Sequence, residues 1–261
     1  MTTPDVPALI GTAGWSIPKA LGGELPGDGS HLDRYAARLT VTEINSSFYR
    51  PHRPSTYERW AASVPPDFRF SIKAPKAVTH QHKLVDCGEL LSTFACAIAH
   101  LGDRRGPVLV QLPPSLAFDP AVASVFFDAA IRHLGQSIAC EPRHVSWFED
   151  DADGLLRNLG ISRVAADPAI CAAAAKPGGW LGLAYFRLHG SPSIYRSPYD
   201  HAALERQREL IIEAQERGAQ CWTIFDNTAS GAALANALEL SSGSSAELRC
   251  GETDYTGRAG T

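Results

Sequence analysis

Residues Pro107–Leu112 (PVLVQL), Pro120–Leu134 (PAVASVFFDAAIRHL) and Ser137–Glu141 (SIACE) decide the fold. The outer two are short, mostly apolar runs of strand length, whereas the middle one repeats apolar residues at helical spacing and opens with a proline behind Asp119, as helix capping requires. A strand, a helix and a second strand in that order make a parallel pair joined by a crossover. The same alternation recurs outward in both directions. Eight runs qualify as strands: Leu9–Gly14, Val41–Asn45, Phe68–Lys73, Pro107–Leu112, Ser137–Glu141, Ser162–Asp167, Ala184–His189 and Cys221–Asp226. Helices are expected between them over 32–39, 55–62, 89–101, 120–134, 151–159, 200–217 and 231–238. Eight parallel strands are the number that closes a barrel.

The expected fold class is therefore α/β, a single (β/α)8 TIM-like barrel. One crossover is weak: after Asp167, the segment Pro168–Gly179 holds only a short helix before Pro177, Gly178 and Gly179 break it, so this crossover helix is expected to be irregular or missing. Residues 1–240 form one barrel domain, and 241–261, which begin Ser-Ser-Gly-Ser-Ser without an apolar pattern, are expected to be a flexible tail. A doubly wound open sheet is the alternative, but neither GxGxxG nor GxxxxGK[ST] follows the first strand.

Composition narrows the class further. The chain has 261 residues, 44% of them hydrophobic, enough for one large core without covalent staples. A formal net charge of -4 gives no global attraction to nucleic acid or anionic membrane, so any such role needs a local patch. There is no run of apolar residues long enough for a membrane span and no basic-then-apolar leader after Met1, and a cytoplasmic location is expected. Cys87, Cys96, Cys140, Cys171, Cys221 and Cys250 are dispersed and form no CxxC pair, which fits reduced core cysteines.

Polar residues gather at one end of the strands. The second run brings Glu43 and Asn45, the third Lys73, the fourth Gln111, the fifth Glu141 with Arg143, the sixth Asp167, the seventh Arg187 with His189, and the eighth Asp226 with Asn227. Barrel enzymes build their sites at that C-terminal rim. Residues two apart share a strand face, so Glu43 with Asn45, Glu141 with Arg143, and Arg187 with His189 are expected to point inward as pairs. A self-satisfied polar plug is the bland alternative for any one of them, while convergence of the whole set favours a ligand site.

The chain also resembles the YecE-like family, domain of unknown function 72. The resemblance rests on Ile10-Gly11-Thr12-Ala13-Gly14-Trp15-Ser16, Val41–Tyr49, Phe70-Ser71-Ile72-Lys73-Ala74-Pro75 leading to Thr79-His80, and Gln111-Leu112-Pro113-Pro114-Ser115. It continues through Glu141–Phe148, Arg187-Leu188-His189-Gly190 and Phe225-Asp226-Asn227-Thr228, covering residues 9 to 240. It implies a TIM-like barrel and assigns no activity.

The residues favour an enzyme acting on a phosphate- or carboxylate-bearing substrate by general acid–base chemistry. Glu43, Glu141, His189 and Asp226 are the catalytic candidates. Lys73, Arg143 and Arg187 would supply the positive field, with Trp15, Asn45, Tyr49, His80, Gln111, His144, Trp147, Asp167, Tyr195 and Asn227 as further substrate contacts. Phosphodiester and glycoside hydrolysis are both open versions. No cofactor is identified; a divalent metal is conceivable but not favoured, because the nearby cations compete for the same carboxylates. The alternative is a noncatalytic module for an anionic metabolite or nucleic-acid phosphate, using the basic run Arg50, His52, Arg53, Lys73, Lys76, His80, His82 and Lys83. No membrane partner is expected, and the oligomeric state is open.

Overall fold

Alternation along each strand separates two cores. Inward positions Val41, Leu109, Ala139, Val164, Leu183, Tyr185, Trp222 and Ile224 pack together inside the curved sheet. Outward positions such as Ile10, Ile44, Phe70, Ile72, Val108, Val110, Ile138, Phe186 and Phe225 pack under the helices. A sheet covered on its outer face by helices and rolled around an apolar interior buries both faces of its strands, as parallel sheets require.

The computed structural model describes residues 7–246. The strands are β1 Leu9–Ala13, β2 Val41–Ile44, β3 Arg69–Lys73, β4 Arg105–Gln111, β5 Ile138–Glu141, β6 Ser162–Arg163, β7 Ala165–Asp167, β8 Gly178–Gly179, β9 Leu183–Leu188 and β10 Gln220–Phe225. The helices are α1 His31–Ala36, α2 Pro54–Ala62, α3 Gly88–Ile98, α4 Pro120–Leu134, α5 Asp150–Asn158, α6 His201–Glu216 and α7 Ala232–Ala246. The sheet runs β7-β9-β10-β1-β2-β3-β4-β5-β6-β8, an α/β barrel-like fold with a nearly closed sheet.

Eight uninterrupted parallel strands are not what forms. The sixth run is divided at Val164: β6 pairs with β5, β7 pairs with β9, and Val164 N–H donates to Cys140 O at 2.8 Å. The two-residue β8 then adds an antiparallel pair to β6, Ser162 opposite Gly179 and Arg163 opposite Gly178. Here the weak crossover takes effect. Ala172–Ala175 makes one 3-10 turn and no α-helix, because Pro177 and the glycines end it. Arg163 then holds the chain with bonds to Asp153 and the Ala173 carbonyl, at 3.1 and 2.9 Å.

Capping sets the helix starts. Ser30 and Asp33 form a reciprocal capping box on α1, Asp119 accepts from Ala121 and Val122 N–H at the start of α4, and Asp200 caps α6 through Ala203 N–H. α7 continues through Ala246, so the tail expected over 241–261 begins inside a helix; residues 247–261 and the N-terminal Met1–Asp5 segment lie outside the described residues. Among the described residues no helix is long and apolar enough to cross a membrane.

Trp222 fills the base of the interior, stacked on Tyr185 with ring centroids 6.2 Å apart, and Gly106 makes room for it. A Cβ at Gly106 would stand 2.6 Å from the Trp222 ring. Gly106→Ala should therefore lower stability by about 1–3 kcal/mol through overpacking, read as a reduced urea midpoint with an unchanged slope. An unchanged midpoint would show that the Trp222 ring has room to move.

Candidate active site

Arg187 organises the C-terminal end of the interior. It lies on β9 two residues after Tyr185 and two before His189, so all three project to the inside. Its guanidinium is 0% exposed. Nε and Nη2 donate to the two oxygens of Glu43 at 3.0 and 2.7 Å, a bidentate pair. Nη1 donates to Glu141 Oε2 at 2.8 Å and Nη2 also to Asp226 Oδ2 at 3.0 Å. One cation thus gathers carboxylates delivered by β2, β5 and the end of β10.

His189 bridges two of those carboxylates, with Nε2 2.8 Å from Glu141 Oε1 and Nδ1 3.1 Å from Asp226 Oδ2. Arg143 Nη2 donates to Glu141 Oε1 at 2.5 Å and stands 2.7 Å from His189 Nε2. A ring with protons on both nitrogens serves both carboxylates; with a proton on Nδ1 alone, Nε2 accepts from Arg143. The imidazole is therefore placed to pass a proton between Asp226 and Glu141. Gln111 adds a bond to Glu141 at 2.9 Å, and Tyr185 donates to Glu43 at 3.0 Å while sharing a 2.6 Å bond with Ser71.

Opposing electrostatic effects act on these groups. Burial disfavours the charged form of Glu141, but Arg187, Arg143 and His189 outweigh it and hold its pKa well below the usual carboxylate range. Burial likewise opposes ionisation of Asp226, and Arg187 and His189 again prevail. Tyr185 is pushed far up by burial and by the Glu43 charge, so it remains a neutral donor. Glu141 is thus held ionised, a fixed acceptor for its cationic partners rather than a general acid.

Lys73 differs from the rest of the cluster. At the end of β3 it is 5% exposed, its Nζ sits 4.4 Å above the Phe48 ring, and it makes no side-chain hydrogen bond or ion pair among the described residues. Burial and the Arg187 charge lower its pKa to about 8, against the pull of Glu43, Glu141 and Asp226.

The other expected contacts divide. Gln111, Arg143 and Tyr195 join the cluster, the last with its ring edge-on to His189 at 5.7 Å. His80 stands at its margin, 5.0 Å from the Phe48 ring and bonded to Thr79 Oγ1 at 2.8 Å. Asn45 is half-buried, and its Oδ1 is sealed without a partner. Tyr49 is 76% exposed and turned to solvent. Asp167 is engaged by Tyr199 Oη at 2.7 Å. The other four contact neighbouring scaffold residues. Trp15 packs on Trp60 and Phe70, and Trp147 is buried with its indole N–H on Leu116 O. His144 caps the turn Val145–Phe148, and Asn227 ties Ser197 O to Asn236. Sequence reasoning passed over Tyr185 and Ser71, although they lie two positions before Arg187 and Lys73 and so share their faces. Among the described residues no group of three His, Cys, Asp or Glu side chains is arranged to hold a metal ion.

The family model described as "Protein of unknown function DUF72" matches residues 9–251. The chain belongs to the DUF72 family. It is 28% identical to UPF0759 protein YecE of Escherichia coli K12 over 60% of this chain and 58% of that one. It is 26% identical to UPF0759 protein YunF of Bacillus subtilis 168 over 53% and 51%. The match therefore spans little more than half of each relative. Crystal structures of two DUF72 proteins superpose on it. That of Thermotoga maritima gives a TM-score of 0.76 at 24% identity, covering 91% of this chain and 99% of that one. That of Enterococcus faecalis V583 gives 0.74 at 20%, covering 89% and 93%. At these identities the structural likeness shows the shared fold.

Arg187→Met strands three buried carboxylates and should cost about 3–5 kcal/mol in urea unfolding, with part recovered when Glu43→Gln is added. Strict additivity of the two would argue against a shared network. The lowered carboxyl pKa values also set a pH window. Glu141 and Asp226 bind protons more readily unfolded than folded, so their contribution is complete above about pH 4.5 and is lost as pH falls below it. Glu141→Gln should flatten the acid limb of the urea midpoint against pH; an unaltered limb would remove Glu141 from the account.

Proposed function

We propose that the rim of this DUF72 protein binds a small phosphate- or carboxylate-bearing ligand and that the buried cluster beneath performs acid–base chemistry on it. Lys73 carries the reading. Glu43, Glu141 and Asp226 already receive their bonds from Arg187, Arg143, His189, Gln111 and Tyr185, yet Lys73 at the strand end is left without an acceptor among the described residues. A nearly buried ammonium without hydrogen bonds is costly, and an anionic ligand oxygen would satisfy it. Arg143, at 17% side-chain exposure and bonded to Glu141, offers a second cation in the cluster.

Lys73 and Arg143 would bind the anion, His189 with Asp226 would move the proton, and Glu43 with Glu141 would hold Arg187 and the imidazole in place. Hydrolysis of a phosphodiester or a glycoside is a narrower form of this proposal. The depressed pKa of Glu141 weighs against assigning it the general-acid role in either. One surface feature favours a nucleic-acid ligand as a second reading: Tyr49, edge-on to Phe48 but largely exposed, stands beside exposed Arg50 and Arg53, as a stacking platform flanked by cations would.

Titration with inorganic phosphate tests the first reading. Wild type should show saturable stabilisation of about 1.4 kcal/mol at tenfold excess over Kd, and Lys73→Met or Arg143→Ala should each remove most of it. Equal stabilisation of all three proteins would place the anion elsewhere. If the ligand is a nucleic acid, single-stranded oligonucleotide affinity should fall steeply with added salt and drop on Tyr49→Ala; salt-independent binding would exclude phosphate contacts.

A further inference from the structure

The geometry points to a second property of Lys73, which rests on the rim being a ligand site: its side-chain amine is a nucleophile that forms an imine with a small carbonyl compound bearing a carboxylate or phosphate group. Three features support it. Every other charged side chain of the cluster is fixed by hydrogen bonds, whereas Lys73 Nζ has none among the described residues and so has no acceptor to leave before attack. The amine lies at the strand end, on the rim where a ligand enters, and is not among the partnerless nitrogens sealed from solvent. Burial beside an aromatic ring and the Arg187 guanidinium favours the unprotonated amine, and outweighs the opposing pull of Glu43, Glu141 and Asp226.

The chemistry closes with groups already present. The neutral amine adds its lone pair to the carbonyl carbon, the displaced π electrons become an alkoxide, and one N–H proton passes from the newly cationic nitrogen to that alkoxide, giving a neutral carbinolamine. Loss of that oxygen as water and of one N–H proton leaves a C=N bond; one water is released and nothing is oxidised or reduced. Asp226 is ionised, close enough to act on Lys73 electrostatically, and among the described residues accepts only at Oδ2, so Oδ1 has capacity for the N–H proton. His189, bonded to Asp226, can carry that proton onward. Arg143 is the cation left for the anionic group of the ligand. With its pKa near 8, Lys73 has a free-amine fraction at neutral pH about a hundredfold or more above that of an unperturbed lysine.

Glyoxylate is a suitable probe, being a small aldehyde with a carboxylate. The full chain is incubated with glyoxylate and sodium cyanoborohydride, and the reduced adduct is located by peptide mass spectrometry. One adduct per chain at Lys73 is expected, formed at least tenfold faster than at any other lysine and slowed by excess inorganic phosphate. Its rate should rise with pH up to about 8 and then level off. Lys73→Arg, which keeps the charge and loses the nucleophile, should abolish it while retaining the wild-type circular dichroism spectrum and urea midpoint. Adducts spread over exposed lysines, or a rate that climbs without levelling through pH 10, would overturn the inference. Phosphate binding that depends on Lys73 but comes with no adduct would overturn the imine and leave the anion site standing; loss of both would remove the anion site as well.

Discussion

A guanidinium with no solvent contact has to find acceptors within the protein, and that requirement at Arg187 governs the upper half of the sheet. Transfer of such an ion from water costs several kcal/mol even after relaxation, and it is offset only when the geometry of its bonds is good. Glu43, Glu141 and Asp226 must therefore arrive together from three strands that are distant in sequence. Their arrival is tied to register: Glu43 stands opposite Ala13, Glu141 opposite Gln111, and Arg187 opposite Ile224 and Ala166. A slip of one residue in any of these strands would turn a charge outward into the helix layer.

Below that layer the interior is packed with apolar side chains. Tyr185 marks the boundary, with its ring stacked on Trp222 and its hydroxyl on Glu43 and Ser71. This apolar floor keeps water from the underside of the charges and strengthens their attraction, but the same burial makes any missing partner expensive. Lys73 is where that rule is relaxed. Its ammonium is supported by Phe48 and by three carboxylates at a distance, and opposed by burial and by Arg187. The cluster is thus a rigid ionic scaffold with one uncommitted amine at its mouth.

Much of this arrangement was legible in the sequence. The strand runs were identified because apolar alternation and capping residues are local signals: Asp119 before Pro120 and Asp200 before His201 start helices wherever they occur. Glu43, Glu141, Arg187, His189 and Asp226 stood out because charge at the end of an apolar strand is unusual. Tyr185 and Ser71 were overlooked because a tyrosine or serine inside a strand is ordinary composition. Only the carboxylate opposite shows that their hydroxyls belong to the site.

The sequence by itself determined the α/β class, the order of strands and helices, the weak crossover after Asp167 and which end of the strands carries charge, since each depends on neighbours within a few residues. Tertiary structure alone decided that the sixth run divides at Val164 and that β8 joins the sheet antiparallel. It also decided what Trp15, Trp147, His144 and Asn227 pack on or bond to, and that Lys73 has no bonded partner among the described residues. These outcomes depend on distances between residues far apart in the chain, where burial and competition for a limited set of acceptors set the result.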